Sequence, residues 1–178
     1  MSLTRPIALC VFLLWVIPRG FSQDKQTHVV DGSIVYQHVF EGELTNPLEF
    51  LENIKGVTNV RSLDGAMFGS VRVVQSDIKR SMTSLGMAWG NTPIFLQASD
   101  VVCQVQLEKR EGRYRITLTD MVLHYTDPIY GPPEPPGAYV IKKNGTLRTK
   151  LFDTTKNLYD ELFMELFSTK NELNSDDW

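Results

Sequence analysis

Apolar and polar residues alternate with period two over several short stretches of this chain, and recur about every fourth position over one long stretch near its end. Ile34, Tyr36, His38 and Phe40 share one face of a strand, while Val35 and Val39 line the other. Val29-Val30 precede it across a turn at Asp31-Gly32. Val57 to Leu63 and Met67 to Gln75 flank Asp64-Gly65, a dipeptide that tolerates positive φ and marks a tight hairpin. A second hairpin joins Val101–Glu108 to Arg113–Tyr125 through Arg110-Glu111-Gly112. In its return strand Tyr114, Ile116 and Leu118 face one way, and Arg113, Arg115, Thr117 and Thr119 the other. Beyond Asp120, bulky Met121, Leu123 and Tyr125 fall on the face that was polar. That change predicts a bulge near Thr119–Asp120, or a strand end covered on both faces.

Two helices complete the pattern. Asn46 can cap the first, Pro47 suits its first turn, and Glu49 stands where a capping box wants a carboxylate. Leu48, Leu51 and Ile54 supply its stripe, and Gly56 ends it. The second runs from about Asp153, as cap, to Leu173: Leu158, Leu162 and Leu166 repeat every fourth residue beside Tyr159, Phe163 and Phe167. Residues 76–97 are rich in apolar groups but broken by Gly86, Gly90 and Pro93, and are expected to fold over an edge of the core. Residues 131–137, with four prolines, read as a stiff extended connector, and Lys143-Asn144-Gly145 as a turn. The sum is an α+β domain: an antiparallel sheet of about five strands, with a short first helix and a long C-terminal helix packed on one face.

The start of the chain changes the expected location. Arg5 precedes an uncharged apolar run from Ile7 to Ile17, Pro18 ends it, and Gly20-Phe21-Ser22 offers small residues two positions apart. Eleven apolar residues are too few to span a bilayer core, which needs about 20. Residues 1–22 therefore read as a signal peptide cut between Ser22 and Gln23, leaving a single domain over 23–178 with no stable membrane anchor. Arg5 and Arg19 leave with the segment, so the net charge of −3 becomes −5. An acidic chain argues against nucleic acid held by charge. Cys10 leaves too, and Cys103 becomes the only thiol of the mature chain, placed among Val101, Val105 and Leu107 as a buried strand residue.

Three stretches carry a resemblance. They are Asp31-Gly32-Ser33-Ile34-Val35-Tyr36, Gly65-Ala66-Met67-Phe68-Gly69, and Glu111-Gly112-Arg113-Tyr114-Arg115-Ile116-Thr117-Leu118-Thr119-Asp120. Together they resemble a family of exported proteins, common in Bacteroidetes, described as a domain of unknown function with a TATA-binding-protein-like fold. The resemblance covers roughly residues 28–125. It implies a curved sheet with helices on one side and a place in the periplasm or envelope, and it brings no catalytic residues.

Candidate chemistry is sparse. His28, His38 and His124 are the only imidazoles, and none has a second ligand at metal-binding spacing. No nucleophile elbow, phosphate loop or zinc motif occurs. No metal, cofactor or catalytic residue is therefore assigned. Arg113 and Arg115, with Lys109 and Arg110 nearby, form the basic cluster read from the pattern, either a solvated face or a contact for a partner's carboxylates. The expected role is a non-enzymatic binding or interaction module of the periplasm or envelope, with a protein or small-molecule partner. A hydrolase with a site assembled in three dimensions, and a structural piece of an envelope assembly, are the rivals.

Overall fold

The computed structural model describes residues 26–88, 90 and 92–168. The expected signal peptide, its Ser22–Gln23 cleavage site and the acidic tail lie outside these residues. Two hairpin turns set the sheet. Asp64 and Gly65 both take positive φ, 50° and 81°, and reverse the chain between β3 (Val57–Leu63) and β4 (Ala66–Val73). The turn at Glu111-Gly112 does the same between β5 (Ser99–Arg110) and β6 (Arg113–Tyr125). With β1 (Thr27–Val30) and β2 (Ser33–Glu41), the strands make one curved, fully antiparallel sheet in the order β1-β2-β6-β5-β4-β3. It has six strands, one more than the expected five. The extra one is β1, four residues long and too short to read as a strand by alternation.

The bulge falls where the change of face predicts it. Gln104 pairs with Thr119 but Val102 with Val122, so one extra residue enters β6, and Asp120 takes φ 51°. The insertion turns Met121 and Leu123 into the core, 4% and 0% exposed, and sends Val122 to the other face.

All helices lie on one face of the sheet. α1 (Pro47–Asn53) is capped as expected: Glu49 N–H donates to Asn46 Oδ1 at 3.4 Å, and Asn46 Nδ2 donates to Glu49 Oε2 at 3.0 Å. Of the expected stripe Leu51 is buried, Ile54 packs half-buried against the core and Leu48 is half-buried, while Phe50 is buried beside Leu51, because α1 lies against β3 and β4. Gly56, at φ 83°, follows it. A Cβ there would stand 2.2 Å from Arg72 O, so only glycine fits.

The 76–97 segment folds into α2 (Gln75–Ser84) and α3 (Ile94–Gln97), and buries Ile78, Met82, Phe95 and Leu96. α2 has no cap from its own sequence. Asp100 supplies one from β5, its Oδ1 accepting from Gln75 N–H at 2.8 Å. A 3₁₀ turn (Pro128–Tyr130), a bridge between Leu123 and Glu134, and α4 (Gly137–Val140) replace the extended proline connector.

α5 spans Thr149–Phe167. It starts a turn before Asp153, which is an interior residue and not the cap. The start is set from outside the helix, because the Ile141–Leu147 bridge and Arg148 N–H on Val140 O, 2.8 Å, deliver the chain there. Leu158, Tyr159, Leu162, Phe163 and Phe167 pack into the sheet, with Tyr36 and Phe163 rings 5.1 Å apart.

Candidate functional site

The face of the sheet away from the helices is uncovered among the described residues. Alternation places Gln37 and Val39 of β2, Arg113, Arg115, Thr117 and Thr119 of β6, Gln104, Gln106 and Glu108 of β5, and Ser70 and Arg72 of β4 on it. Each is half-buried or exposed. At the β5–β6 hairpin end the arginines stand beside acids. Arg115 Nε donates to Glu108 Oε2 at 2.7 Å, with a second contact from its Nη2. Arg113 is opposite Glu41 on one side and Arg110 on the other. Lys109 pairs with Tyr114 and so belongs to the opposite face. The basic cluster becomes a mixed ionic strip with Arg110 and Arg113 as its positive end.

The histidines are not brought together. His38 pairs with Ile116 on the helix side of the sheet and packs edge-on to Phe40, ring centroids 4.7 Å apart. His124 pairs with Asp100 near the far end of β6, on the open face. The sheet separates them. His28 is bonded to Gln26 O through Nδ1 at 3.2 Å.

Buried carboxylates are committed to architecture. Asp100 Oδ2 accepts from Arg72 Nε at 2.9 Å and Nη2 at 2.6 Å, while its Oδ1 caps α2. Asp160 Oδ1 accepts from Thr27 N–H at 2.8 Å, and its Oδ2 meets Lys156. Both acids therefore tie distant segments together. Cys103 is 1% exposed, and burial pushes its thiol well above the ordinary range. Among the described residues no group of three or more His, Cys, Asp or Glu side chains is placed to hold a metal ion, and no helix is long and apolar enough to cross a membrane.

Two further features escape the pattern. A groove of about 870 Å³ runs between α1 and the end of α5, lined by Glu43, Asn46, Glu49, Phe50, Lys55 and Leu166. Lys55 and Leu166 also border a neighbouring hollow of about 400 Å³ that holds Arg72, Asp77, Arg80 and Glu165. Its charges are paired: Lys55 with Asp77 at 2.9 Å and Arg80 with Glu165 at 3.3 Å. The second feature is a cationic turn carrying Lys142, Lys143, Arg148 and Lys150, all exposed. The cluster at Arg113 and Arg115 is therefore not the only basic one. Residues 135–152 contain no acid, a signal present in the sequence but diluted because the four cations straddle a turn.

No family model matches the chain, and no curated protein does. Two solved structures are similar to it. A TBP-like protein from Parabacteroides distasonis is 18% identical, with TM-score 0.45, over 84% of this chain and 98% of the other. A DUF4468 family protein from Bacteroides ovatus is 15% identical, with TM-score 0.41, over 78% and 86%.

Proposed function

We propose that this chain is an exported, non-catalytic interaction module of the periplasm or envelope that holds a protein partner on the open face of its sheet. The observation that carries the reading is that face: a broad antiparallel surface with threonines and glutamines at its centre and Arg110 and Arg113 at one end. Antiparallel sheets tolerate one wet face, and this one offers side chains that can hydrogen-bond without rearrangement. Arg110, exposed beside Arg113, suits a carboxylate of the partner. Export is supported by the pattern of residues 1–22.

Photo-crosslinking groups placed at Gln106 and Thr117, with one at Asp153 on α5 as control, test the reading in cells. The same species should be captured from both sheet positions, absent from the control, and lost in Arg113→Ser. Capture indifferent to position, or to Arg113, overturns it. N-terminal sequencing of the recovered protein should begin at Gln23; recovery with Met1 retained refutes the export arm.

A further inference from the structure

We infer that the end of the molecule where β6 finishes is a docking surface for an anionic membrane, with the 141–150 turn meeting phospholipid headgroups. This inference stands on residues outside the open sheet face and does not rest on the reading above.

The turn is rigid. Ile141 bridges Leu147, Lys142 N–H donates to Thr146 O at 2.8 Å, and Gly145 N–H donates to Lys142 O at 2.8 Å. It holds up Lys142, Lys143, Arg148 and Lys150, and among the described residues none of these side chains has an ion pair or hydrogen bond. By contrast, Lys55, Arg72, Arg80, Arg115 and Lys156 are all paired.

Among the described residues, folding gains no ion pair from these four charges. Arg148 and Lys150 flank the N-terminal end of α5, whose first turn holds no acid. A cation there opposes the helix dipole. The neighbouring acids are few, and Asp153, one turn into α5 from Lys150, is the nearest along the chain. Glu134 accepts from the Tyr139 hydroxyl at 2.8 Å, Asp127 accepts from Ile129 N–H at 3.0 Å, and Asp31 lies in the adjoining β1–β2 turn. That turn is close: a Cβ on Gly137 would lie 2.8 Å from Gly32 O. Among the described residues, an acidic protein thus carries a positive tip without ion pairs.

Apolar side chains stand at the same end. Ile129 is 80% exposed, Tyr130 46% and Leu147 39%. Tyr130 leans on Tyr125, ring centroids 5.9 Å apart, which holds it in place. Cations reaching phosphates beside aliphatic and tyrosine tips at the acyl boundary form the combination that binds a membrane interface. These side chains are exposed on separate turns, and a planar surface suits that arrangement better than a peptide.

Sedimentation of the purified chain with vesicles tests this, using phosphatidylglycerol mixed with phosphatidylcholine against phosphatidylcholine alone. The chain should bind the anionic vesicles, and less so as salt rises. Lys142→Ser with Lys143→Ser should weaken binding about thirty-fold, at about five-fold for each basic residue at an anionic surface. Ile129→Ser should weaken it while leaving the salt dependence intact. All three positions are exposed, so the variants should melt with the parent, and residues 1–22 contribute alike to every protein compared. Equal binding to neutral vesicles, or unchanged affinity in the double variant, overturns the inference. So does failure to sediment with anionic vesicles while polyglutamate is bound in a lysine-dependent way, which would make the partner an acidic polypeptide.

Discussion

The hydroxyl of Tyr114, at the hairpin end of β6 on the sheet's helix side, donates to the carbonyl of Phe167 at the end of α5, at 2.7 Å. The two residues are 53 positions apart. The bond satisfies one of the carbonyls that every helix end leaves without a partner. It also fixes where α5 stops relative to β6. The Tyr114 ring is held by Phe40, stacked at 5.0 Å, and Phe50, edge-on at 5.3 Å, so the donor is aimed before the helix arrives.

Tyr114→Phe keeps the ring and removes the donor. Leaving the buried Phe167 carbonyl unpaired should cost about 1–3 kcal/mol, read from urea unfolding with the slope unchanged. A loss under about 0.3 kcal/mol would show that the carbonyl finds water instead.

Asp160→Ala should free β1. Thr27 N–H loses its acceptor on α5, and the strand keeps only its pairing with β2. Amide exchange should accelerate at Thr27 and His28 well before it does in β5 or β6, with about 1–3 kcal/mol lost overall. Uniform acceleration across the sheet would contradict a local clasp.

Leu162→Ala should cost about 2–5 kcal/mol, because Leu162 is 3% exposed where α5 packs on the sheet. Chemical denaturation measures it directly; a change below about 0.5 kcal/mol would falsify the packing described for α5.

Stability should fall on the alkaline side of neutrality. Burial raises the thiol of Cys103 and the phenols of Tyr36 and Tyr159, and for Tyr36 the nearby Asp160 adds to the effect. The folded state therefore favours their neutral forms. That contribution is complete below the unfolded values, about 8.5 for a thiol and about 10 for a phenol, and is lost as pH rises beyond them. Urea midpoints should drop from about pH 8.5 upward, and Cys103→Ala should delay the onset toward about pH 10. In the folded protein at neutral pH, Cys103 should resist thiol reagents until denaturant is added; rapid labelling refutes its burial.

Local pattern was a reliable guide wherever the signal lies within a few residues. The Asp64-Gly65 and Glu111-Gly112 turns, the Asn46–Glu49 cap, the bulge at Asp120 and the apolar face of α5 are read from side chains that are neighbours along the chain. The start of α5, the capping of α2 and the existence of β1 are not. Each depends on a contact with a distant residue: Val140 O for Arg148, Asp100 for Gln75, and Asp160 for Thr27. The candidate site divides in the same way. Arg113 and Arg115 were legible as one face of a strand, but their pairing with Glu108 and Glu41 is a matter of strand register.

What the sequence determined by itself is therefore the kind of the longer elements and the side that the long strands and α5 bury, because φ preferences and the periods of helix and strand are properties of adjacent residues. It determined too that Cys103 and the α5 leucines are inside. Which charges meet was decided only by the tertiary structure. Assembling the sheet placed His38 and His124 on opposite faces, locked Asp100 and Asp160 into bonds between segments, and left Lys142, Lys143, Arg148 and Lys150 without partners among the described residues. Electrostatic partnership depends on distance through space, and only the folded chain sets that distance.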